Sequence, residues 1–244
     1  MNQSRLESLQ HDVCAAVRES VEQPFLAVVQ CAHRRLGQDA ADNEAICVIA
    51  FSRLQDDSPE SCLELLQRGS LSSEGHPLGS RLAGYAHLAL GNLSAAQIAF
   101  DDSVRADPCQ EDCWTLLGRI HCQQGQEDRA VACFENATLF GVEQSEPALA
   151  LAALYRNQRK LSEAIHTLRV ALTENRRSAK LNLALAGLLR RRACVLDRRR
   201  MPLARRKVLD EARRCYVTAL EVEPTADACL QFGIFEQAMG HHEA

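Results

Sequence analysis

The sequence predicts an all-α fold, an α-solenoid in which pairs of helices stack one after another. The first observation is composition. Ala and Leu are abundant, aromatic residues make up 5%, and alternating runs of β-branched residues, which would favour strands, are absent. The second is an internal repeat of 34 residues, because segments that align without a gap begin at Asn43, Pro77, Glu111, Ser145 and Ala179. Such a period is typical of a repeated helix pair.

Each repeat has small and large apolar residues at the same positions. The eighth position is always small, which lets two helices approach closely, and it is occupied by Ala50, Gly84, Gly118, Ala152 and Ala186. The twentieth and twenty-fourth positions hold a small and a large residue one helical turn apart, as Cys62 and Leu66, Ala96 and Phe100, Ala130 and Phe134, and Ala164 and Leu168. This alternation predicts two helices per repeat with interdigitating side chains.

The segment from Trp114 to Ala137, WTLLGRIHCQQGQEDRAVACFENA, resembles the tetratricopeptide signature W-x2-L-G-x2-Y followed by A-x3-F-x2-A. The preceding repeat supplies Gly84, Gly91, Ala96, Phe100 and Pro108 at family positions. The resemblance extends from about Asn43 to Gly240. It implies a right-handed superhelix of about five helix-turn-helix repeats with helical caps, whose first helices line a concave groove.

The resemblance also suggests a division of the chain. Residues 1–42 are expected to form an N-terminal helical cap or degenerate repeat, with helices over Arg5–Val21 and Phe25–Leu36 on either side of Pro24. Five repeats follow, at 43–76, 77–110, 111–144, 145–178 and 179–225. Gly91 and Gly125 are expected at turns that require positive φ. Residues 226–244 are predicted to be a capping helix or a truncated sixth repeat.

The fifth repeat carries a basic insert near residues 192–207. Its second-helix positions appear at Ala212 and Tyr216, fourteen residues late, and Pro202 argues against one unbroken helix. The basic residues are Arg198, Arg199, Arg200, Arg205, Arg206 and Lys207. They would suit an acidic protein, an anionic lipid surface or nucleic-acid phosphates. Nucleic acid is the weakest of these because Tyr216 is the only aromatic residue nearby.

In the family, positions 2, 5, 6, 9, 12 and 13 of each repeat face the groove. The resemblance therefore implies that the partner-binding residues are Arg81, Tyr85, Leu88, Thr115, Arg119, Gln123, Arg156, Asn157, Lys180, Arg190 and Arg191. Arg pairs with carboxylates through two hydrogen bonds, and Tyr offers a rigid amphipathic surface, so these residues suit peptide recognition. The alternative interpretation is an ordinary solvated helix face.

The sequence predicts neither a catalytic site nor a cofactor. It contains no nucleophile elbow, no phosphate-binding Gly loop and no paired carboxylates on facing elements. A cluster of Cys and His residues lies between Cys109 and Cys133, but without a C-x2-C pair it is not expected to bind metal. The scattered cysteines suggest reduced thiols. Together with the lack of an apolar run of about 18 residues and of a secretory signal, they predict a cytoplasmic protein.

These features predict a non-catalytic scaffold or adaptor that binds a partner peptide or protein in the concave groove, with an acidic partner favoured by the local charge. From Arg190 to Arg214 the local charge is +8, against −4 for the whole chain. Two alternatives stay open. One is a structural or regulatory subunit of a larger assembly, such as pilus, secretion or motility machinery. The other is an accessory helical domain of an enzyme in a longer chain. The sequence leaves the oligomeric state open.

Overall fold

The structure, a computed structural model, describes residues 24–71, 76–140, 145–196 and 201–240. These residues form twelve α-helices and no strand, which confirms the predicted all-α fold. The helices are α1 (Pro24–Gln38), α2 (Asn43–Gln55), α3 (Pro59–Arg68), α4 (Pro77–Ala89), α5 (Leu93–Ala106), α6 (Glu111–Gln123), α7 (Glu127–Phe140), α8 (Ser145–Asn157), α9 (Leu161–Glu174), α10 (Ala179–Val195), α11 (Pro202–Val222) and α12 (Ala226–Gly240). The chain divides into two compact units, an N-terminal unit, Met1–Pro108, and a C-terminal unit, Cys109–Ala244.

The helix pairs follow the sequence repeat. The first helices α2, α4, α6, α8 and α10 begin at Asn43, Pro77, Glu111, Ser145 and Ala179, where the aligned segments begin. Each first helix packs along the second helix that follows it, and these second helices are α3, α5, α7, α9 and α11. The helix pair is therefore the structural element that recurs every 34 residues.

The small eighth residue contacts the large twenty-fourth residue of the same repeat. A Cβ atom added to Gly84 would lie 2.5 Å from the ring of Phe100, and one added to Gly118 would lie 2.7 Å from the ring of Phe134. In the first and fourth repeats the corresponding residues are Ala and Leu, and all four of these side chains are buried: Ala50, Leu66, Ala152 and Leu168. In these four repeats a larger residue on one helix is thus matched by a smaller one on the other.

Four helix pairs share one turn between the first and the second helix. Gly91 and Gly125 have φ of 72° and 71°, the positive values that the sequence predicted. Asp57 and Arg159 stand at the same position with φ of 54° and 62°, where an L side chain is strained. In all four turns backbone N–H groups donate to carbonyl oxygens at the end of the first helix. The packing of the helix pair therefore imposes this turn even without glycine.

α1 lies in the segment that was predicted to be an N-terminal cap or a degenerate repeat. It runs over Pro24–Gln38, close to the predicted Phe25–Leu36, whereas the predicted helix Arg5–Val21 lies outside the described residues. Arg35 at the end of α1 donates from Nε to Asp42 Oδ2 at 2.8 Å. Asp42 also accepts a hydrogen bond from the first turn of α2, so one carboxylate caps α2 and links it to α1.

The insert lengthens both helices of the fifth repeat. α10 has 17 residues and α11 has 21, compared with 13 and 14 in α8 and α9. Pro202 is the first residue of α11, where a missing N–H group leaves no hydrogen bond unmade, so two helices form as predicted. Arg205 Nε donates to the carbonyl oxygen of Ala193 at 3.2 Å. This bond ties the start of α11 to the end of α10.

α12 packs against α11 through aromatic rings. Phe235 is buried, and its ring centroid lies 5.3 Å from that of Tyr216. Phe232 and Gly233 resemble the large-then-glycine pattern of a first helix. A Cβ atom added to Gly233 would nevertheless meet nothing within 4 Å, because no second helix covers it in the described part of the chain.

Candidate partner-binding surface

Two neighbouring first helices of the C-terminal unit carry a strip of small and apolar residues. α8 and α10 contact each other, and positions 5, 6 and 9 of each helix lie on one helical face. The six residues of this strip are half-buried and are Leu149, Ala150, Ala153, Leu183, Ala184 and Gly187. A Cβ atom added to Gly187 would have no neighbour within 4 Å. We call this strip, with the cations described next, the first-helix surface.

Cationic side chains border the apolar strip. Arg156 and Asn157 at the end of α8 are exposed, as are Lys180 at the start of α10 and Arg191 near its end. Within the described residues, Arg156, Lys180 and Arg191 have no carboxylate partner. Cations near a helix C-terminus also interact favourably with the helix dipole. The strip therefore has a basic border that is available to an external carboxylate.

Arg190 differs from its neighbour Arg191 because it is half-buried. Its charge acts on Tyr216, a fully buried residue of α11 whose hydroxyl has no hydrogen-bond partner among the described residues. Burial raises the pKa of Tyr216, and the positive charge of Arg190 acts in the opposite direction. Arg190 thus lies between the border of the first-helix surface and the core.

The predicted groove residues of α6 fall into different environments. Thr115 is only 8% exposed, so a partner in solution cannot reach it, and we leave it out of the first-helix surface. Arg119 is exposed and pairs with Glu146 of α8 at 3.4 Å. Gln123 is exposed at the end of α6. The Arg119–Glu146 pair shows that equivalent faces of successive first helices are neighbours, but it also engages that arginine.

In the N-terminal unit, the predicted groove residues lie on α4 and all three are half-buried. Arg81 precedes Tyr85 by one helical turn, and Leu88 follows it. The Tyr85 ring contacts the Phe100 ring edge-to-face, with 5.6 Å between centroids. Tyr85 therefore contributes to the packing of α4 against α5, which sequence reasoning alone did not reveal.

The basic insert is only partly described. Arg206 and Lys207 are exposed on the first turns of α11, and Arg205 is bonded to the α10 carbonyl described above. Arg198, Arg199 and Arg200 lie outside the described residues. The structure thus gives Arg205 a role in holding the helix pair together and leaves Arg206 and Lys207 open to solvent.

A second concave feature was not predicted. It is a groove of about 960 Å³ between the second helices α7 and α9, with α8 as its floor, and we call it the second-helix groove. The residues that matter below are Glu135 and Leu139 of α7, Tyr155 of α8, and Glu163 and Val170 of α9. The signal in the sequence was the presence of two apolar residues, Leu139 and Val170, on helix faces that should be polar. In the structure these side chains are 73% and 46% exposed.

The thiols differ sharply in environment. None of the ten cysteines in the described ranges is in a disulfide, and Cys47, Cys62 and Cys215 are among the buried ones. Burial is the main cause that raises the pKa of Cys47 to about 12 and the pKa values of Cys62 and Cys215 to about 11. The described side chains include no group of three or more His, Cys, Asp or Glu placed to hold a metal. Among the twelve helices, none is long and apolar enough to cross a membrane.

Comparisons with known proteins agree with this architecture. A family model described as the tetratricopeptide repeat matches residues 111–139, which cover α6 and nearly all of α7. A search of curated protein sequences finds no match.

Among solved structures, YrrB is described as a tetratricopeptide-repeat protein with an unusual peptide-binding site. It is 13% identical to this chain, with a TM-score of 0.60 over 83% of this chain and 97% of YrrB. MamA (41-end) from Desulfovibrio magneticus RS-1 is 18% identical, with a TM-score of 0.55 over 78% of this chain and 98% of its own. PilF of Pseudomonas aeruginosa is 15% identical, with a TM-score of 0.53 over 83% and 93%. The family model thus matches one repeat, and the recurrence of that helix pair gives the chain a fold similar to that of solved tetratricopeptide-repeat structures.

Proposed function

We propose that this protein is a non-catalytic adaptor that binds a peptide, or an exposed segment of a protein, on the first-helix surface of its C-terminal unit. The apolar strip would bury hydrophobic side chains of the partner, and the basic border would pair with its carboxylates. The preferred partner is therefore a short apolar segment flanked by Asp or Glu. The similarity in fold to YrrB, whose description includes a peptide-binding site, supports this proposal.

One observation carries the proposal, the combination of an open apolar strip with unpaired cations. Among the described residues Arg156, Lys180 and Arg191 lack carboxylate partners, and a Cβ atom added to Gly187 would meet no atom within 4 Å. An ion pair at an exposed cation contributes about 0–1 kcal/mol. Apolar side chains buried on the strip would therefore have to supply most of the free energy of a micromolar complex, about 8 kcal/mol.

We also propose a cytoplasmic location. None of the ten described cysteines is in a disulfide, and Cys31, Cys109, Cys122, Cys194 and Cys229 are exposed. Exposed thiols persist as thiols in a reducing compartment and form disulfides in an oxidising one. The thiol pattern therefore suits the cytoplasm.

A selection from a random peptide library tests the proposed surface. The full-length protein is used to select displayed 12-residue peptides, and the selected peptides are synthesised and titrated by fluorescence anisotropy. We expect peptides rich in Asp, Glu and apolar residues. The triple variant Arg156→Glu/Lys180→Glu/Arg191→Glu should bind them at least tenfold more weakly, because attraction becomes repulsion.

Two further variants sharpen this test. The control Arg34→Glu/Arg53→Glu/Arg177→Glu makes the same charge change at exposed arginines outside the first-helix surface, and its affinity should change by less than threefold. Gly187→Leu should leave the fold intact, since its Cβ has open space, but should block the strip. Equal binding by the natural protein and the first triple variant would exclude this surface.

A further inference from the structure

The second-helix groove is shaped to receive a partner segment. Its α9 wall extends from Ser162 to Ala171, which are nine steps apart at 1.5 Å per step, or about 14 Å. The floor is buried and largely apolar, with Leu151 and Ala148 of α8. Leu139 and Val170 stand on opposite walls and are largely open to solvent. This length matches two to three turns of a helix, and an apolar side chain placed between the walls would cover both of them.

The charge of this groove is best seen by comparing its residues with those at equivalent repeat positions in the next gap. The next gap between second helices lies between α9 and α11. Arg169 of α9, the twenty-fifth residue of its repeat, bridges that gap by pairing with Glu211 of α11. The two bonds, from Nε and Nη2 to the two carboxylate oxygens, are 2.9 and 2.7 Å long. Glu211 precedes the small position-20 residue Ala212, just as a glutamate precedes Ala164 in the fourth repeat. A bidentate ion pair thus closes the gap between α9 and α11.

In the second-helix groove the equivalent positions both carry glutamate. Glu135 of α7 is the twenty-fifth residue of the third repeat, where Arg169 stands one repeat later. Glu163 of α9 is the nineteenth residue of the fourth repeat and precedes Ala164. Neither carboxylate has a Lys or Arg partner in the part of the chain that the structure describes. Two like charges therefore stand where the neighbouring gap has an ion pair.

Both carboxylates act on one phenol. The Tyr155 hydroxyl donates to Glu135 Oε1 at 2.5 Å. Burial, this hydrogen bond and the charges of Glu135 and Glu163 raise the pKa of Tyr155 to about 12. No Lys or Arg lines the groove as far as the structure describes it, although Lys160 lies beside it, 5.9 Å from the Tyr155 ring centroid. The groove thus has a negative potential that its own lining does not neutralise.

We propose that the second-helix groove binds an amphipathic helix of a partner protein through an arginine side chain. The guanidinium group would bridge Glu135 and Glu163, as Arg169 contributes a guanidinium group to Glu211 in the next gap. Apolar residues one turn away on the partner helix would cover Leu139 and Val170. This site is separate from the first-helix surface, and it selects a positively charged partner residue where that surface selects a carboxylate.

A designed peptide pair tests this assignment. The probe is a fluorescein-labelled, amidated 14-residue helical peptide of Ala, Gln and Leu with one central Arg and a Leu one turn to either side. The matched peptide has Glu in place of that Arg. Both are titrated by anisotropy against the full-length protein at low salt, and methyl NMR follows Leu139 and Val170. The Arg peptide should shift both methyl signals saturably, and the Glu peptide should bind at least tenfold more weakly.

Protein variants locate the site. Glu135→Arg should supply the cation within the chain, so it should weaken the Arg peptide at least tenfold and raise the melting temperature. Glu163→Gln should also weaken binding. Glu174→Arg is the matched control, since it adds the same charge to exposed residue 174 of α9 outside the groove, and it should leave affinity within twofold. The triple variant of the first-helix surface should bind the Arg peptide as the natural protein does.

Each result decides between the surfaces. Unchanged affinity with Glu135→Arg, no saturable shift at Leu139 and Val170, or equal binding of the Arg and Glu peptides would overturn the second-helix groove as an arginine site. Loss of binding in the first-helix triple variant alone would likewise overturn it and would show that the peptide occupies the other surface. If the library peptides fail to bind but the Arg peptide behaves as expected, the proposed function fails and this inference stands.

Discussion

The contact between the eighth and twenty-fourth residues of a repeat leads to a quantitative prediction. A Cβ atom at position 118 would lie 2.7 Å from the Phe134 ring, closer than van der Waals contact allows, whereas one at position 187 would meet nothing. Both glycines are inside helices, so alanine gains about 1 kcal/mol of helix propensity at each. Overpacking costs about 1–3 kcal/mol. Gly187→Ala should therefore stabilise the protein by about 1 kcal/mol, whereas Gly118→Ala should range from neutral to about 2 kcal/mol destabilising.

Urea unfolding monitored by circular dichroism measures both variants. Because the chain forms two compact units, the C-terminal unit is followed separately by hydrogen exchange of α6 and α10 amides. The informative quantity is the difference in unfolding free energy between the two alanine variants, about 1–3 kcal/mol, since helix propensity cancels in it.

A double substitution tests the cause of the difference. Phe134→Leu removes the ring that a Cβ at position 118 would meet and recreates the Ala and Leu pairing of the fourth repeat, Ala152 with Leu168. Gly118→Ala should therefore cost less in the Phe134→Leu background, with a coupling free energy of at least about 0.5 kcal/mol. Equal effects of the two alanine substitutions, or strict additivity in the double variant, would refute the reasoning.

Three further predictions follow from single residues. Arg159→Gly should stabilise the protein by about 1 kcal/mol because φ at this turn is 62°, and Gly125→Ala, at φ of 71°, should destabilise it by about as much. Thermal melts of the two variants should show shifts of opposite sign. Burial lowers the pKa of His76, whose Nδ1 accepts a hydrogen bond from the Gly79 N–H group in the first turn of α4, so the unfolded chain binds more protons and stability should fall as the pH falls from 6.5. Urea melts at pH 5, 6 and 8 should show this fall, and the dependence of stability on pH should be weaker in His76→Asn, which keeps a capping side chain. Cys47 and Cys62 should resist a thiol reagent at pH 8 until the protein unfolds, and rapid reaction of either in the native protein would contradict their burial.

The repetition made much of the fold predictable. Position 8 must be small because the two helices of a repeat touch there. Gly84 and Gly118 align without a gap with the alanines at this position in the other repeats, and that alignment located the start of each first helix. The turn was only half predictable. Gly91 and Gly125 predicted positive φ from their residue type. Arg159 also has positive φ, although an L side chain disfavours it, because the packed helices fix the chain on both sides.

The surfaces were less predictable, for physical reasons. A family position specifies the direction of a side chain and not its burial, which is why Thr115 was expected in the groove and is instead covered. The second-helix groove depends on which residues of successive repeats oppose each other. Glu135 and Glu163 are 28 residues apart, and their relation becomes visible only beside the Arg169–Glu211 pair.

The matching of a small with a large residue across the first four helix pairs restricts how those repeats can recombine. Gly with Phe and Ala with Leu fill similar volumes, so exchanging a whole helix pair leaves each contact intact. A crossover in the turn between the helices would instead join Gly to Leu, leaving a void, or Ala to Phe, producing a clash. Viable chimeras that exchange the Gly–Phe and Ala–Leu types among the first four repeats should therefore have their junctions between repeats.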